Sequence, residues 1–313
     1  MSTWQEHVTK HASQTTGFPA CAISDLSHFG LIRVSGPDAR TFLQGQLTND
    51  IHAVTAERAQ ISSYCSPKGR MLGSFWIFQR DEDLFLLLPK VRLDAVLKRL
   101  RMFILRAQVL VEDASDTLAR FGIAGECAAA LLPVVPTEDR ASITRDEITV
   151  FRMPGDRPRF GVVGPDSRLT PIWDQAATQA TPTNTDFWAL MDIRAGLPNV
   201  LEETVEAFVP QMVNLQLIDG VSFSKGCYTG QEVVARMQYL GKLKRRMYRA
   251  RVDANEPPAP GSEVFAANGD ADTAVGRIVD AAPSPDGGFE VLAVLQISSA
   301  ETDQLRLGEA IGP

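Results

Sequence analysis

The stretch "KGCYTGQEVVARMQYL" covers residues 225–240, and the change of pattern at its C-terminal end decides how the chain is divided. Thr229 with Glu232 three residues on has the T-x-x-E spacing of a capping box, which predicts a helix opening at Thr229. Val233, Val234 and Met237 supply its apolar face. Past Leu240 the pattern changes. The runs "RMYRARV" (246–252), "SEVFAA" (262–267), "AVGRIVDA" (274–281) and "FEVLAVLQI" (289–297) are separated by Pro, Gly, Asn and Asp. That rhythm suggests a small β-barrel or sandwich, and a barrel is the expectation. The expected division is therefore 1–241, an α+β domain with two internal subdomains, and 242–313, a C-terminal β-barrel domain.

Upstream, helical and strand patterns alternate irregularly. "AISDLSHFGLIRVSG" (22–36) reads as two short strands around a turn. A helix is expected to open at Gly36 and Pro37, with Ala39, Phe42, Leu43 and Leu47 as its stripe. Gln46 falls on that stripe, and a polar amide on a core face needs a partner, either backbone, which the pattern alone favours, or a ligand. Strands at 59–65 and 70–78 flank "SPKG" (66–69), whose Pro and Gly suit a type I turn. A strand at 84–89 precedes a helix over 90–104 with Leu93, Val96, Leu97 and Leu100 on one face. Its Arg92, Lys98, Arg99 and Arg101 read as a solvated face. Further strands are expected near 107–112, 118–124, 147–152 and 159–164. Thr185 is expected to cap a helix that Gly196 and Pro198 stop. Arg194 shares that helix's buried face with Phe187, so its guanidinium either needs an anion or several acceptors, or is a snorkelling arginine whose head stays in water. Strand, helix, strands, helix, strands is an α+β order.

The chain has 313 residues, enough for two or three domains, with 44% hydrophobic and 22% charged residues. A net charge of -7 argues against a dedicated duplex-DNA binder. The start lacks the apolar stretch of a signal peptide, and the densest apolar run, "LFLLLP", is too short to span a bilayer. Cys21, Cys65, Cys127 and Cys227 are scattered and form no CxxC. They are expected to be reduced thiols in a cytoplasmic protein, with no permanently bound metal.

Two readings of Cys227 stand side by side. It is a small residue packed beside a helix cap, or a thiol made reactive by Lys225 and the helix N-terminus. Such settings lower a cysteine pKa from ~8.5 into roughly 3.5–7.5. Arg236, Lys242, Lys244, Arg245, Arg246, Arg249 and Arg251 form a run with no acid among them. It is either a solvated face or an anion site for a polycarboxylate or phosphates.

Three segments resemble one family. "FVPQMVNLQLIDGVSFSKGCYTGQEVVAR" (208–236), "GPDARTFLQGQLTND" (36–50) and "YCSPKGRM" (64–71) look like the signature of the YgfZ-type folate-binding proteins. These are related in fold to the aminomethyltransferase (T-protein) of the glycine cleavage system, which "DLSHFGLIRVSGPDAR" (25–40) also resembles. The resemblance implies tetrahydrofolate or a derivative as ligand. It implies a role in assembling or maintaining iron–sulfur enzymes, some of which modify tRNA. The expected partners are folate and iron–sulfur enzymes or assembly factors, with tRNA a further candidate and no membrane. Cys227, with Lys225 beside it, is the implied working thiol. The expected folate residues are Gln46, Asp50, Lys68, Arg194, Asn214 and Tyr228, with the glutamate tail toward Arg236 and Arg246.

Two departures bear on mechanism. The aminomethyltransferases carry an aspartate pair where Gly73 and Ser74 stand here, and no acid occurs between Cys65 and Arg80. Many relatives have glutamate where this chain has Arg194, and an arginine cannot accept pterin N–H groups. Two alternatives accompany the folate-binding accessory role: a glycine-cleavage-type aminomethyltransferase and a tRNA-binding module. Whether the protein turns over a substrate is left open.

Overall fold

The structure, a computed structural model, describes residues 3–9, 18–267, 273–302 and 304–308. The chain begins α1 (Thr3–Thr9), β1 (Ala22–Asp25), β2 (Phe29–Ser35), α2 (Ala39–Gln44), β3 (Gln60–Cys65), β4 (Met71–Arg80), β5 (Asp83–Pro89) and α3 (Leu93–Met102). Next come β6 (Leu110–Asp113), β7 (Ala119–Ala124), α4 (Ala128–Leu131), β8 (Ser142–Arg145), β9 (Ile148–Met153), β10 (Arg159–Gly164) and α5 (Asp166–Ala177). The last part is β11 (Thr181–Thr183), α6 (Thr185–Arg194), α7 (Gln231–Tyr239), β12 (Arg245–Val252), β13 (Glu263–Ala266), β14 (Ala274–Pro283), β15 (Phe289–Gln296), α8 (Ile297–Thr302) and β16 (Leu305–Leu307). These strands build three sheets, ordered β3-β4-β5-β2-β6, β11-β1-β7-β10-β9-β8 and β12-β15-β14-β13-β16.

The first sheet is buried on both faces, and β5 shows why. Its near-continuous apolar run alternates between two cores. Phe85 and Leu87 join the central core, while Leu84, Leu86 and Leu88 face the core under α3. Leu93, Val96, Leu97 and Leu100 of α3 close that second core, as their spacing requires. The six-stranded sheet behaves similarly. Ile23, Phe121, Val150 and Phe160 pack with Trp4, Leu169 and Trp173, while Phe151, Met153 and Val163 reach the central core. The two strands read in 22–36 are present but lie in different sheets. The chain crosses between sheets at 26–28.

The C-terminal sheet shares the central core. Met247, Val279, Ala282, Leu292 and Val294 join it, and α6 packs on β14 and β15. Among the described residues the sheet is not seen to close into the expected barrel. The outer strands β12 and β16 are unpaired with each other among the described residues, so the sheet is an open, curled half-barrel.

Several local expectations shift. Helix α2 starts at Ala39 and stops at Gln44, so Gln46 lies on the following turn and not on a helical stripe. Asn184, not Thr185, caps α6, accepting from Phe187 N at 3.2 Å. Arg92 is buried and paired with Glu202 instead of solvated. Cys21 and Cys127 form a disulfide, which corrects the expectation of four reduced thiols. Ala22 pairs with Ala124 across β1 and β7, and this brings the two cysteines flanking those strands together. Cys65 and Cys227 remain free.

Candidate functional site

Residues 225–232 fold as a turn wedged between two other turns of the chain. One is the 66–69 turn, closed as expected by Gly69 N donating to Ser66 O at 2.8 Å. Gly69 (φ 69°) and Gly230 (φ 83°) both occupy the left-handed region that favours glycine. A Cβ on Gly230 would lie 2.4 Å from Ser66 O, and one on Gly69 would lie 2.8 Å from Val233 Cβ. The two turns therefore touch backbone to backbone.

The other contact is made by Lys225. Its ammonium donates to Gln44 O at 2.8 Å, Leu47 O at 2.6 Å and Asn49 O at 2.8 Å, so all three N–H groups are used. The Tyr228 ring lies beneath it, 5.1 Å from Nζ to the centroid. Burial pulls the Lys225 pKa down to about 8, against the raising effect of Asp50. Lys225 thus fastens the 44–49 turn. It is not a free cation for the neighbouring thiol. Tyr228 is buried, and burial followed by the nearby Cys65 pushes its pKa up.

The capping-box expectation also fails. Gly230 caps α7, whose first residue is Gln231, and no side-chain cap bond forms. Thr229 lies outside the helix, and Glu232 instead pairs with Arg236 at 2.8 Å on an exposed face. Cys227 sits four positions before α7 and is exposed. The other free thiol, Cys65, is fully buried, and burial pushes its pKa up to about 12. Among the described residues Cys227 is the one thiol both unpaired and open to solvent.

The remaining expected residues separate into three groups. Gln46 and Asn214 keep an acceptor free: Gln46 Oε1 and Asn214 Oδ1 are buried without a partner, while Asn214 Nδ2 donates to Met247 O at 2.9 Å. Asp50 and Arg194 are committed to protein. Asp50 accepts from Gln44 Nε2 and from His52 N, both at 3.0 Å. Arg194 donates from Nε and Nη2 to Glu290 Oε1 at 3.0 and 2.5 Å, and its guanidinium lies 4.3 Å from the Phe18 ring centroid. The side-chain bond to Glu290 raises its pKa. The anion that Arg194 requires is thus Glu290 of β15. Lys68, Arg236 and Arg246 form the third group. Lys68 is exposed at the 66–69 turn, Arg236 is spent on Glu232, and Arg246 is half-buried with Nε unpartnered.

Five neighbours of these groups carried no signal in the residue pattern. Gln211 donates from Nε2 to Val234 O at 2.7 Å and leaves Oε1 buried and unpartnered. Arg159 and Asp192, both buried, pair at 2.7 Å. Asn199 donates to Asp192 at 3.3 Å and also bonds Asp280, whose pKa burial raises to about 7. At the aspartate positions of the aminomethyltransferases, Ser74 Oγ accepts from Val200 N at 3.0 Å. A Cβ on Gly73 would already lie 3.1 Å from Phe75 and 3.2 Å from Val96. Among the described residues, no group of three or more His, Cys, Asp or Glu side chains is placed to hold a metal ion. No helix there is long and apolar enough to cross a membrane.

Comparison with known proteins gives the family and the fold. Residues 2–154 match the family described as the GCVT N-terminal domain. The tRNA-modifying protein YgfZ of Colwellia psychrerythraea is 32% identical over 254 residues, 80% of this chain and 77% of the relative. That of Yersinia enterocolitica is 32% identical over 288 residues, 90% of this chain and 86% of the relative. The chain belongs to the YgfZ family. Its fold is that of the glycine cleavage system aminomethyltransferase T from Bartonella henselae. The two superpose with a TM-score of 0.74 over 94% of this chain and 81% of the other, at 15% identity. Within the YgfZ family frame, the 225–232 turn is held by its neighbours while its cysteine faces outward.

Proposed function

We propose that this YgfZ-family chain is a folate-binding accessory protein that supports assembly or repair of iron–sulfur enzymes, including enzymes that modify tRNA, through the thiol of Cys227. The observation that carries this reading is the contrast inside one turn. Lys225, Tyr228 and Gly230 are all consumed by packing and hydrogen bonding, and Cys227 is left exposed and unpaired. A lone thiol cannot hold a cluster, because clusters take four protein ligands. The role is therefore a transient one, on a cluster or thiol that a partner supplies.

A tetrahydrofolate ligand fits the acceptors present. A reduced pterin offers N–H donors, and the carboxylate that takes them in many relatives is replaced by Arg194. Gln46 Oε1, Asn214 Oδ1 and Gln211 Oε1 are buried acceptors without a partner, suited to that task. When bound, the folate would supply one-carbon chemistry. What this chain contributes is orientation through its amides and exclusion of water.

Aminomethyl transfer is disfavoured. Moving a one-carbon unit onto a folate nitrogen needs a carboxylate to manage the proton. Neither position carries a carboxylate: a side chain at Gly73 would crowd Phe75 and Val96, and Ser74 is already bonded to Val200.

The test compares Cys227→Ser with the wild-type chain in a cell that lacks the native protein. Cys227→Ser is expected to fold normally and to fail to restore iron–sulfur enzyme activity. Full restoration would return Cys227 to a structural role. Calorimetry with tetrahydrofolate up to ~1 mM, an affinity of only about -4 kcal/mol, tests the ligand separately. No heat at that concentration would remove the folate claim.

A further inference from the structure

Where the C-terminal half-barrel meets the rest of the chain there is a hollow of about 520 Å³. Arg70, Lys242, Lys244, Arg245 and Arg277 contribute five cationic side chains to its lining, and no carboxylate among the described residues lines it. The sheet register explains part of this. Met247, Val294 and Arg277 stand side by side on β12, β15 and β14, so they share the face turned toward the first part of the chain. Arg245, two residues before Met247, shares that face. On the opposite wall Arg70 is fixed by donating from Nη1 to Ala207 O at 2.7 Å. Lys242 and Lys244 come from the loop after α7 and are exposed. Arg277 has a carboxylate neighbour, Glu263 at 3.4 Å, outside the lining and half exposed. The other four cations face no carboxylate partner at all among the described residues.

The rest of the lining is apolar: Phe208, Met212, Met237, Leu243 and Val294, with Ala207. A purely ionic ligand such as polyphosphate or an oligoglutamate has no use for such a wall. A ligand with a flat apolar ring and several negative charges uses both. The volume lies within the ~300–1,000 Å³ of small-molecule sites. In a protein of net charge -7, a pocket of one sign also acts locally as a focus for anions.

We propose that this hollow is a binding site for a nucleoside polyphosphate, with the base against Phe208, Met212 and Met237 and the phosphates on Lys242, Lys244, Arg245 and Arg277. The assignment goes beyond the folate reading and does not depend on it, since neither Cys227 nor the amides of Gln46 and Asn214 line this hollow.

The probes are ATP, inorganic tripolyphosphate, adenosine and tri-γ-glutamate, titrated into the full chain by calorimetry. ATP is expected to bind about tenfold more tightly than tripolyphosphate, the scale of one base stacked on an apolar wall. Adenosine is expected to give no measurable heat. The double variant Lys242→Glu/Lys244→Glu changes two exposed residues and is expected to keep the wild-type melting temperature. It is expected to weaken ATP at least about tenfold, and added salt should weaken the wild-type complex in the same direction. Three results would overturn the proposal. They are no ATP binding at ~1 mM, ATP binding unchanged in the double variant, and tri-γ-glutamate or tripolyphosphate binding as tightly as ATP. Because tetrahydrofolate is titrated separately, loss of this proposal leaves the folate reading standing, and the reverse.

Discussion

Two regions hold the C-terminal half-barrel to the rest of the chain, and they use charge in opposite ways. Along the seam under α6 the buried charges are answered. Arg194 meets Glu290, Arg159 meets Asp192, and Asp280 shares Asn199 with Asp192. At the far side of the same junction five cations line a hollow with no carboxylate from the described residues in its wall. Burial explains the difference. Charges removed from water must be paired or neutralised, while cations beside open solvent can wait for a ligand. Charge type alone therefore says little about role; the presence or absence of a fixed partner says much more.

The largest expected effect comes from breaking the closed side. Arg159→Met leaves Asp192 buried without its partner and should lower unfolding stability by about 3–5 kcal/mol in urea titrations. Adding Asp192→Leu should recover most of that loss. If the single variant were as stable as wild type, the seam would not depend on its pairs.

Next in size is Lys225→Met, which strands the carbonyls of Gln44, Leu47 and Asn49. A loss of about 2–3 kcal/mol is expected, read as a lower midpoint in thermal unfolding. Cys227→Ser beside it should stay within about 0.5 kcal/mol of wild type, as exposed substitutions do. Equal losses in the two variants would erase the distinction drawn between a fastening residue and a working one.

A smaller effect is expected with pH. Folding raises the Asp280 pKa from 3.8 to about 7, through burial first, so the native state binds its proton more tightly than the unfolded chain. The stability this contributes is fully present below 3.8 and is lost as pH rises through about 7. Asp280→Asn should flatten that slope, and the difference between the two curves isolates it. His28, lowered chiefly by burial, and Lys225, lowered to about 8, both act with the opposite sign and are common to both curves. Identical pH profiles would mean that Asp280 is not protonated in the fold.

Smallest of all is Arg236→Ala. Its pair with Glu232 is exposed on both sides, so a change below about 0.5 kcal/mol is expected by chemical denaturation.

What could be read from the residues alone followed local chemistry. The apolar stripe of α3, the Gly69 turn and the stop at Gly196 each rest on contacts within a few residues. The four strand runs after 241 are legible from their local alternation and punctuation, although β12 finds its partner β15 some way along the chain. Helix α5 is masked in the sequence because Pro171 interrupts its pattern, although Leu169, Trp173 and Ala176 keep the spacing. Long-range partners were beyond reach. That Arg194 stands on a buried face was legible, with an anion or a snorkelling head as its two resolutions, but not that Glu290 meets it from 96 residues away. Lys225 looked like an activating cation because its three acceptors lie far back in the chain, at 44–49. The pairing of Cys21 with Cys127 depends on β1 meeting β7, which no local pattern announces. Arg70 and Arg277 stand outside the basic run and reach it only through the fold.

The crossing at 26–28 has a consequence for synthesis. Strand β1 needs β7 on one side and, in parallel, β11 on the other, with Ala22 opposite Thr181. Its second edge therefore stays open until residue 183 has left the ribosome, long after β2 to β5 have been made. During that interval β1 is an unpaired edge on a growing chain, the kind of surface that invites pairing with a neighbour. Translation that stalls before residue 181 would expose it longest, and an aggregation assay on nascent chains stalled before and after that point would reveal the difference.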